Sequence, residues 1–191
     1  MKKYKLTDET IQVFGHTLHR IEALTHFSDV YKGDKGGFVE SEDNLSQKGD
    51  CWIYGTAKVY GNAMVYGNAE VYGDASVYNN ARISDNAKVC GDAKVFGGAV
   101  IHGRAVIGGD AKVANNSDYM VFKNWWSSGR YFTWTRSNNM WSVGCFYGTG
   151  EELIAKAYRD SKLSGREYGR VVKYVESILK DSRKWQEMKK Y

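Results

Sequence analysis

The chain has 191 residues, with 27 Lys and Arg against 22 Asp and Glu, enough for one domain or two small ones with a real core. Hydrophobic residues make up 42% and charged ones 26%, a globular composition that excludes a disordered chain, and no apolar run approaches the roughly 18 residues of a membrane span. Three dispersed cysteines, Cys51, Cys90 and Cys145, form no CxxC pair, which argues against a disulfide framework and against a zinc–cysteine site. The opening Met1-Lys2-Lys3-Tyr4-Lys5 lacks the apolar stretch of a secretory signal. A cytoplasmic protein with no membrane partner is expected.

In chain order, Ile11-Gln12-Val13-Phe14 and Thr17-Leu18-His19-Arg20-Ile21 flank Gly15-His16 and predict a β-hairpin. Lys32-Gly33-Asp34-Lys35-Gly36-Gly37-Phe38-Val39-Glu40 reads as a glycine-rich turn leading into the next segment. It has neither a strand–turn–helix setting nor a GK[ST] ending, so a phosphate loop is not expected. Residues 1–50 are expected to form a β cap over the next segment, because a solenoid end needs covering.

From Ile53 the sequence runs IYGTAK, VYGNAM, VYGNAE, VYGDAS, VYNNAR, ISDNAK, VCGDAK, VFGGAV, IHGRAV and IGGDAK, then Val113. The first position is Val or Ile and the fifth is Ala in every unit, a period that signals a solenoid. Ala-x-Val makes a short strand with both side chains on one face. Gly-Asn or Gly-Asp makes a corner, since Gly and Asn best tolerate positive φ. Three strands and three corners close a triangular coil with Val, Ile and Ala stacked inside. The pattern resembles that of the hexapeptide-repeat superfamily, whose founding members are trimeric acyltransferases. The resemblance implies a mainly β chain with a left-handed parallel β-helix over 51–117.

Stacked coils sort the outward residues into three faces. One runs from Trp52 and Tyr54 through Tyr72 and Cys90 to Val106 and Gly108. A second sets Tyr60, Tyr78 and Phe96 beside Lys58, Lys94 and Lys112, and stacked rings with lysine stems over them are expected. The third carries Met64, Tyr66, Arg82, Ser84, Val100 and His102. Exposed apolar residues on the first and third faces predict a homotrimer.

After Asn115-Asn116-Ser117 the composition changes, and residues 118–147 hold ten aromatics, including four of the six tryptophans. Tyr119–Phe122, Arg130–Arg136 and Met140–Phe146 read as strands, with Ser137-Asn138-Asn139 as a hairpin turn. Two helices follow, with capping-box patterns at Thr149-Gly150-Glu151-Glu152 and Ser164-Gly165-Arg166-Glu167. The second places Tyr168, Val171, Val172, Val175, Ile178 and Leu179 on one face. Residues 118–191 are thus expected to be an aromatic-rich α+β module ending in a charged tail. Its basic excess is mild, so nucleic acid is not an expected partner.

Three stretches resemble hexapeptide-repeat proteins of bacteriophage and prophage genomes. They are Gly33-Asp34-Lys35-Gly36-Gly37-Phe38-Val39-Glu40 running on to Asn44-Leu45-Ser46, the VYGNA units, and Gly144-Cys145-Phe146-Tyr147-Gly148-Thr149-Gly150-Glu151-Glu152. The resemblance implies an accessory role in an infected host, including the neutralising of host defences. The wider superfamily implies what an acyltransferase would need, namely an interface histidine as general base and acyl-CoA between neighbouring helices. His102 is the candidate, although the repeats lack the inserted loop that often builds such a site. Superfamily carbonic anhydrases place three histidines around zinc, where this helix supplies one. His16 and His19 have no further ligand spacing. No metal, cofactor or paired carboxylates are expected, and the chain reads as a binder rather than a catalyst.

The binding candidate is the stretch Asn124-Trp125-Trp126-Ser127-Ser128-Gly129-Arg130-Tyr131-Phe132-Thr133-Trp134-Thr135-Arg136. Rings stack on a base or sugar, and Ser128, Gly129 and Arg130 can hold a phosphate. Trp125, Trp126, Ser128, Gly129, Arg130, Trp134 and Arg136 are therefore the expected ligand-binding residues. Alternation turns Tyr131, Thr133 and Thr135 one way and Phe132, Trp134 and Arg136 the other, so the rings could equally form the core of a small sheet. Three functions stay open: sequestration of a small phosphorylated, nucleotide-type ligand such as a host immune signal, inhibition or scaffolding of a host protein, and acyl transfer.

Overall fold

The structure, a computed structural model, describes residues 2–188, with side chains through 181. The expected charged tail lies outside the described side chains. Strands β1 (Tyr4–Val13) and β2 (His16–Ala23) form the expected hairpin. It turns through Phe14 and Gly15 at φ 47° and 87°. Strand β3 (Lys35–Val39) pairs antiparallel with β2 on one side. On its other side it runs parallel to the solenoid, with Phe38 opposite Lys58 and Val39 opposite Val59. The glycine-rich segment turns only at its start, where Gly33 takes φ 94°, and from Lys35 to Val39 it is a strand, which its composition did not suggest. Its glycines permit close approach: a Cβ at Gly37 would stand 2.5 Å from the Ala57 carbonyl oxygen, and one at Gly36 2.6 Å from that of Ile53.

Eleven two-residue strands, β4 to β14, recur every six residues from Trp52–Ile53 to Lys112–Val113. They stack into three parallel ladders, the three-sided β-solenoid that the hexapeptide period implied. Inside run the columns Ile53-Val71-Val89-Ile107, Val59-Val77-Val95-Val113 and Val65-Ile83-Ile101, buried with the alanines. Two units lack the corner glycine, and there Asn79 and Asp85 take the same left-handed conformation at φ 59° and 58°, which those side chains tolerate best after glycine. Tyr60, Tyr78 and Phe96 stack as expected, at 5.2 Å between successive rings. Leu18 of the hairpin, with Ile11 and Val13, packs against them.

Each coil's N–H groups bond the carbonyls of the next, as Lys94 bonds Ala111. The last coil has no successor, so side chains replace it. Asn116 Oδ1 accepts from the N–H of Val100 at 2.8 Å, Thr133 Oγ1 from Val106 at 2.9 Å, and Ser137 Oγ from Lys112 at 2.7 Å. At the opposite end the Tyr4 hydroxyl donates to the Leu45 carbonyl at 2.6 Å, and the Lys3 ammonium donates to those of Gly49 and Cys51. Buried backbone groups must find such partners.

Strands β15 (Tyr119–Lys123), β16 (Tyr131–Thr135), β17 (Met140–Val143) and β18 (Phe146–Gly148) form an antiparallel sheet in that order. The expected third strand is two, because the chain reverses at Gly144 with φ 59°. Helix α1 (Gly150–Asp160) opens on the Thr149–Glu152 capping box. Helix α2 (Lys162–Met188) starts ahead of the Ser164 pattern, and Ser161 supplies the hydroxyl that accepts from the Ser164 N–H at 3.0 Å. Phe132 and Trp134 pack with Trp141, Tyr168, Val172 and Val175, while Thr133 on the opposite face meets the solenoid. Among the described residues no helix is long and apolar enough to cross a membrane.

Candidate functional site

The loop between β15 and β16 is closed by the Asn124 N–H on the Arg130 carbonyl at 2.7 Å. Gly129 supplies the bend at φ 68°. A cavity of about 90 Å3 lies where this loop meets the two helices. Asn124, Ser127, Ser128 and Arg130 line it from the loop, Lys156 and Asp160 from α1, and Ser164 and Tyr168 from α2. Two cations face one carboxylate, so the lining carries net positive charge.

Asn124 is 3% exposed. Its Nδ2 donates to the Tyr168 hydroxyl at 3.1 Å, and its Oδ1 has no partner among the described residues. Amide O and N are assigned from their hydrogen-bond network. Turned over, the amide would accept from Tyr168 and offer a donor in place of Oδ1. Burial pushes the Tyr168 hydroxyl above its ordinary range, against the opposing pull of Asn124 and Arg130. It therefore keeps its proton at neutral pH and can serve either orientation. Among the described residues, the buried side-chain atoms without a partner are Asn124 Oδ1, Trp126 Nε1 and Arg136 Nε. Two of these sit on this one loop. Each such group costs about 1–3 kcal/mol, so among the described residues this loop is the stretch with most left unsatisfied, and a ligand that pairs with it gains accordingly.

Size limits what can enter. At roughly 30 Å3 per water molecule the cavity holds a phosphate-sized group, well below the roughly 300–1,000 Å3 that encloses a whole drug-sized ligand.

Of the expected ligand-binding residues, Ser128 and Arg130 line this cavity and Gly129 shapes its loop. Trp125 is 76% exposed on the same loop. Trp126 is tucked edge-to-face against Tyr168 at 5.0 Å and Phe132 at 6.2 Å, which makes it a support rather than a contact surface. Trp134 is fully buried with its indole N–H on Asn139 at 2.8 Å. Arg136 lies past the far end of β16, its backbone N–H on the Asp118 carbonyl at 2.8 Å. The structure does not bring Trp134 and Arg136 to the others, because β16 carries them away from the loop. Lys156, Ser164 and Tyr168 come from helices far along the chain, where the capping and periodic patterns around Ser164 and Tyr168 signalled a helix and not a site.

His102 is exposed on the third face with Met64 and Tyr66. Its ring has no hydrogen-bond partner among the described residues. His16 does not pair with His19. Its Nδ1 lies 2.8 Å from Glu40 Oε1, while Glu40 Oε2 accepts the Gly61 N–H at 2.7 Å. The His16 hydrogen bond first, and that of Gly61 second, hold the Glu40 carboxyl below the usual carboxylate range. Among the described residues no group of three metal-ligating side chains comes together.

No protein-family model matches the chain. A stretch of 63 residues is 36% identical to a protein of Escherichia coli (strain K12) described as the uncharacterized acetyltransferase YdcK. The match covers 28% of this chain and 19% of that protein, so the chain spans about a fifth of the relative's length.

Proposed function

We propose that the chain is a non-catalytic binding protein that captures a small phosphorylated ligand, of nucleotide type, with its C-terminal module. The cavity beside Asn124 carries this reading, because two cations, three serines and an unpartnered buried amide converge on a phosphate-sized space. Arg130 offers a planar fork and Lys156 a point charge. The first turn of α2, where Ser164 sits, adds partial positive charge. The terminal phosphate enters the cavity and the base stays outside, where the exposed Trp125 ring offers stacking worth about 1–3 kcal/mol. Binding without turnover then lowers the free ligand in proportion to protein. The resemblance to phage proteins supports a host immune signal as that ligand, in the cytoplasm of the infected cell. Exposed Met64 and Tyr66 on the third face support packing of three copies about their solenoids.

The test is thermal stability of the full chain against cyclic mono- and dinucleotides, ADP-ribose and its cyclised forms, nucleotide sugars and acetyl-CoA. A ligand at about 100 times its Kd stabilises by roughly 2.7 kcal/mol. A nucleotide is expected to raise Tm and to be recovered intact. Arg130→Ala with Lys156→Ala should abolish the shift and leave the unliganded Tm in place, since both side chains are exposed. A shift that survives in the double variant would move the site elsewhere. A second reading, acyl transfer, is favoured by the likeness to YdcK and by the unpartnered ring of His102. A shift with acetyl-CoA, together with CoA release lost in His102→Ala, would replace the first reading.

A further inference from the structure

We propose that the same module holds a second site, of opposite charge, for an α-aminoacyl group: a free ammonium with a carbonyl beside it and an apolar side chain, as in an amino-acid amide or a peptide's amino end. The site is a cavity of about 250 Å3 at the N-terminal end of α1, lined by Trp141, Gly150, Glu151, Val172, Val175 and Glu176 among others. At roughly 30 Å3 per water it has room for about eight waters, the size of one such group. It shares no residue with the phosphate cavity and does not depend on it.

Three observations converge. Glu151 and Glu176 both line the cavity, and no Lys, Arg or His lines it. Neither carboxylate makes an ion pair or a side-chain hydrogen bond among the described residues. Glu151 stands in the first turn of α1, where the helix dipole favours an acid. Glu176 lies in the middle of α2 and has no such reason. The second observation is independent of charge. Trp141 is 1% exposed and lines the cavity. Its indole N–H makes no hydrogen bond among the described residues and, unlike the enclosed unpartnered atoms of the ligand loop, is open to the cavity, whereas the neighbouring Trp134 N–H is satisfied by Asn139. A Cβ at Gly150 would stand 3.3 Å from Trp141 Nε1 and 2.7 Å from Val172 Cγ1, so glycine keeps the space before that N–H open. The third is the apolar wall of Val172 and Val175.

Each part calls for one part of the ligand. The ammonium goes to the two carboxylates by charge-assisted hydrogen bonds, the carbonyl oxygen accepts from the Trp141 N–H, and the side chain lies on the valines. A free amino acid would bring its own carboxylate against Glu151 and Glu176 and be rejected by like charge.

Calorimetric titration of the full chain with leucinamide, at mildly acidic pH where the amine is charged, tests this. The controls are 4-methylpentanamide, which lacks the amine, and free leucine. Leucinamide is expected to bind and to shift tryptophan fluorescence, with both controls weaker by roughly tenfold or more. Glu151→Gln and Glu176→Gln should each weaken leucinamide to a similar degree. Both side chains are exposed, so Tm should stay unchanged in Glu176→Gln and fall only slightly in Glu151→Gln, which loses its favourable place at the start of α1. The proposal is overturned if leucinamide does not bind at millimolar concentration, if 4-methylpentanamide binds equally, or if the double Gln variant keeps full affinity.

Discussion

The solenoid and the C-terminal module meet the same requirement, a partner for every buried backbone group, by opposite means. In the solenoid each coil is the partner of the next, so one six-residue rule serves every position. The module pairs its own backbone without any repeat, in an antiparallel sheet and two helices. Where it meets the last coil, Thr133 and Ser137, with Asn116 just ahead of the module, accept the solenoid's remaining N–H groups. The difference shows where a ligand can be accommodated. Inward positions of the solenoid are committed to Val, Ile and Ala, and little is left unsatisfied. The module leaves Asn124 and Trp126 without partners and opens a cavity at each end of α1. The periodic part therefore reads as scaffold and the aperiodic part as the place for chemistry.

The harshest test of that division falls on the solenoid core. Ile83 is fully buried between Val65 and Ile101, and stacked coils have little freedom to collapse around a void. Ile83→Ala should cost about 2–5 kcal/mol, read as a drop in the urea midpoint without a change in slope. A cost well under the lower figure would mean that the coils slide together, and the picture of a rigid periodic scaffold would fail.

The same division explains what could be read from the sequence. The ladder of two-residue strands was legible because the repeat states the rule ten times over. Strand β3 was not, since Gly36-Gly37-Phe38-Val39 follows the coil register without the Ala-x-Val signature, and its glycines mark close approach where composition suggests a turn. The Ser164 capping box misled because Ser161, three residues earlier, offers the same hydroxyl to the backbone. The ligand loop was half legible. Ser128 and Arg130 are local to one hairpin loop, so adjacency in sequence became adjacency in space. Trp134 and Arg136 looked equivalent by alternation, and only packing against α2 separates a core ring from a surface one. Asn124 and Tyr168 meet across 44 residues, a contact that no local pattern encodes.

A smaller effect is expected where the two regions join. Thr133→Val keeps volume but removes the hydroxyl that accepts the Val106 N–H, and Thr133 is 1% exposed. An orphaned buried N–H should cost about 1–3 kcal/mol. Hydrogen exchange should show the last coil opening more readily than the first in the variant. Uniform loosening of the whole solenoid would mean that the module is not what terminates the ladder.

The smallest effect lies at the opposite end, where His16, Glu40 and Gly61 tie the hairpin to the first coil. The Glu40 carboxyl is held below its ordinary range, first by His16 and then by the Gly61 N–H. A carboxylate lowered in the folded state adds stability above its unfolded pKa and loses it as pH falls through the folded one. The pair is partly exposed, so its contribution should stay below about 1 kcal/mol. Glu40→Gln should therefore be slightly less stable than the parent at neutral pH, with the gap closing on acidification below about pH 4. A gap that is constant from neutral to acid pH would show that the Glu40 charge adds nothing. The hairpin would then be held by the pairing of β2 with β3 and by Leu18, Ile11 and Val13 against the Tyr60 ring.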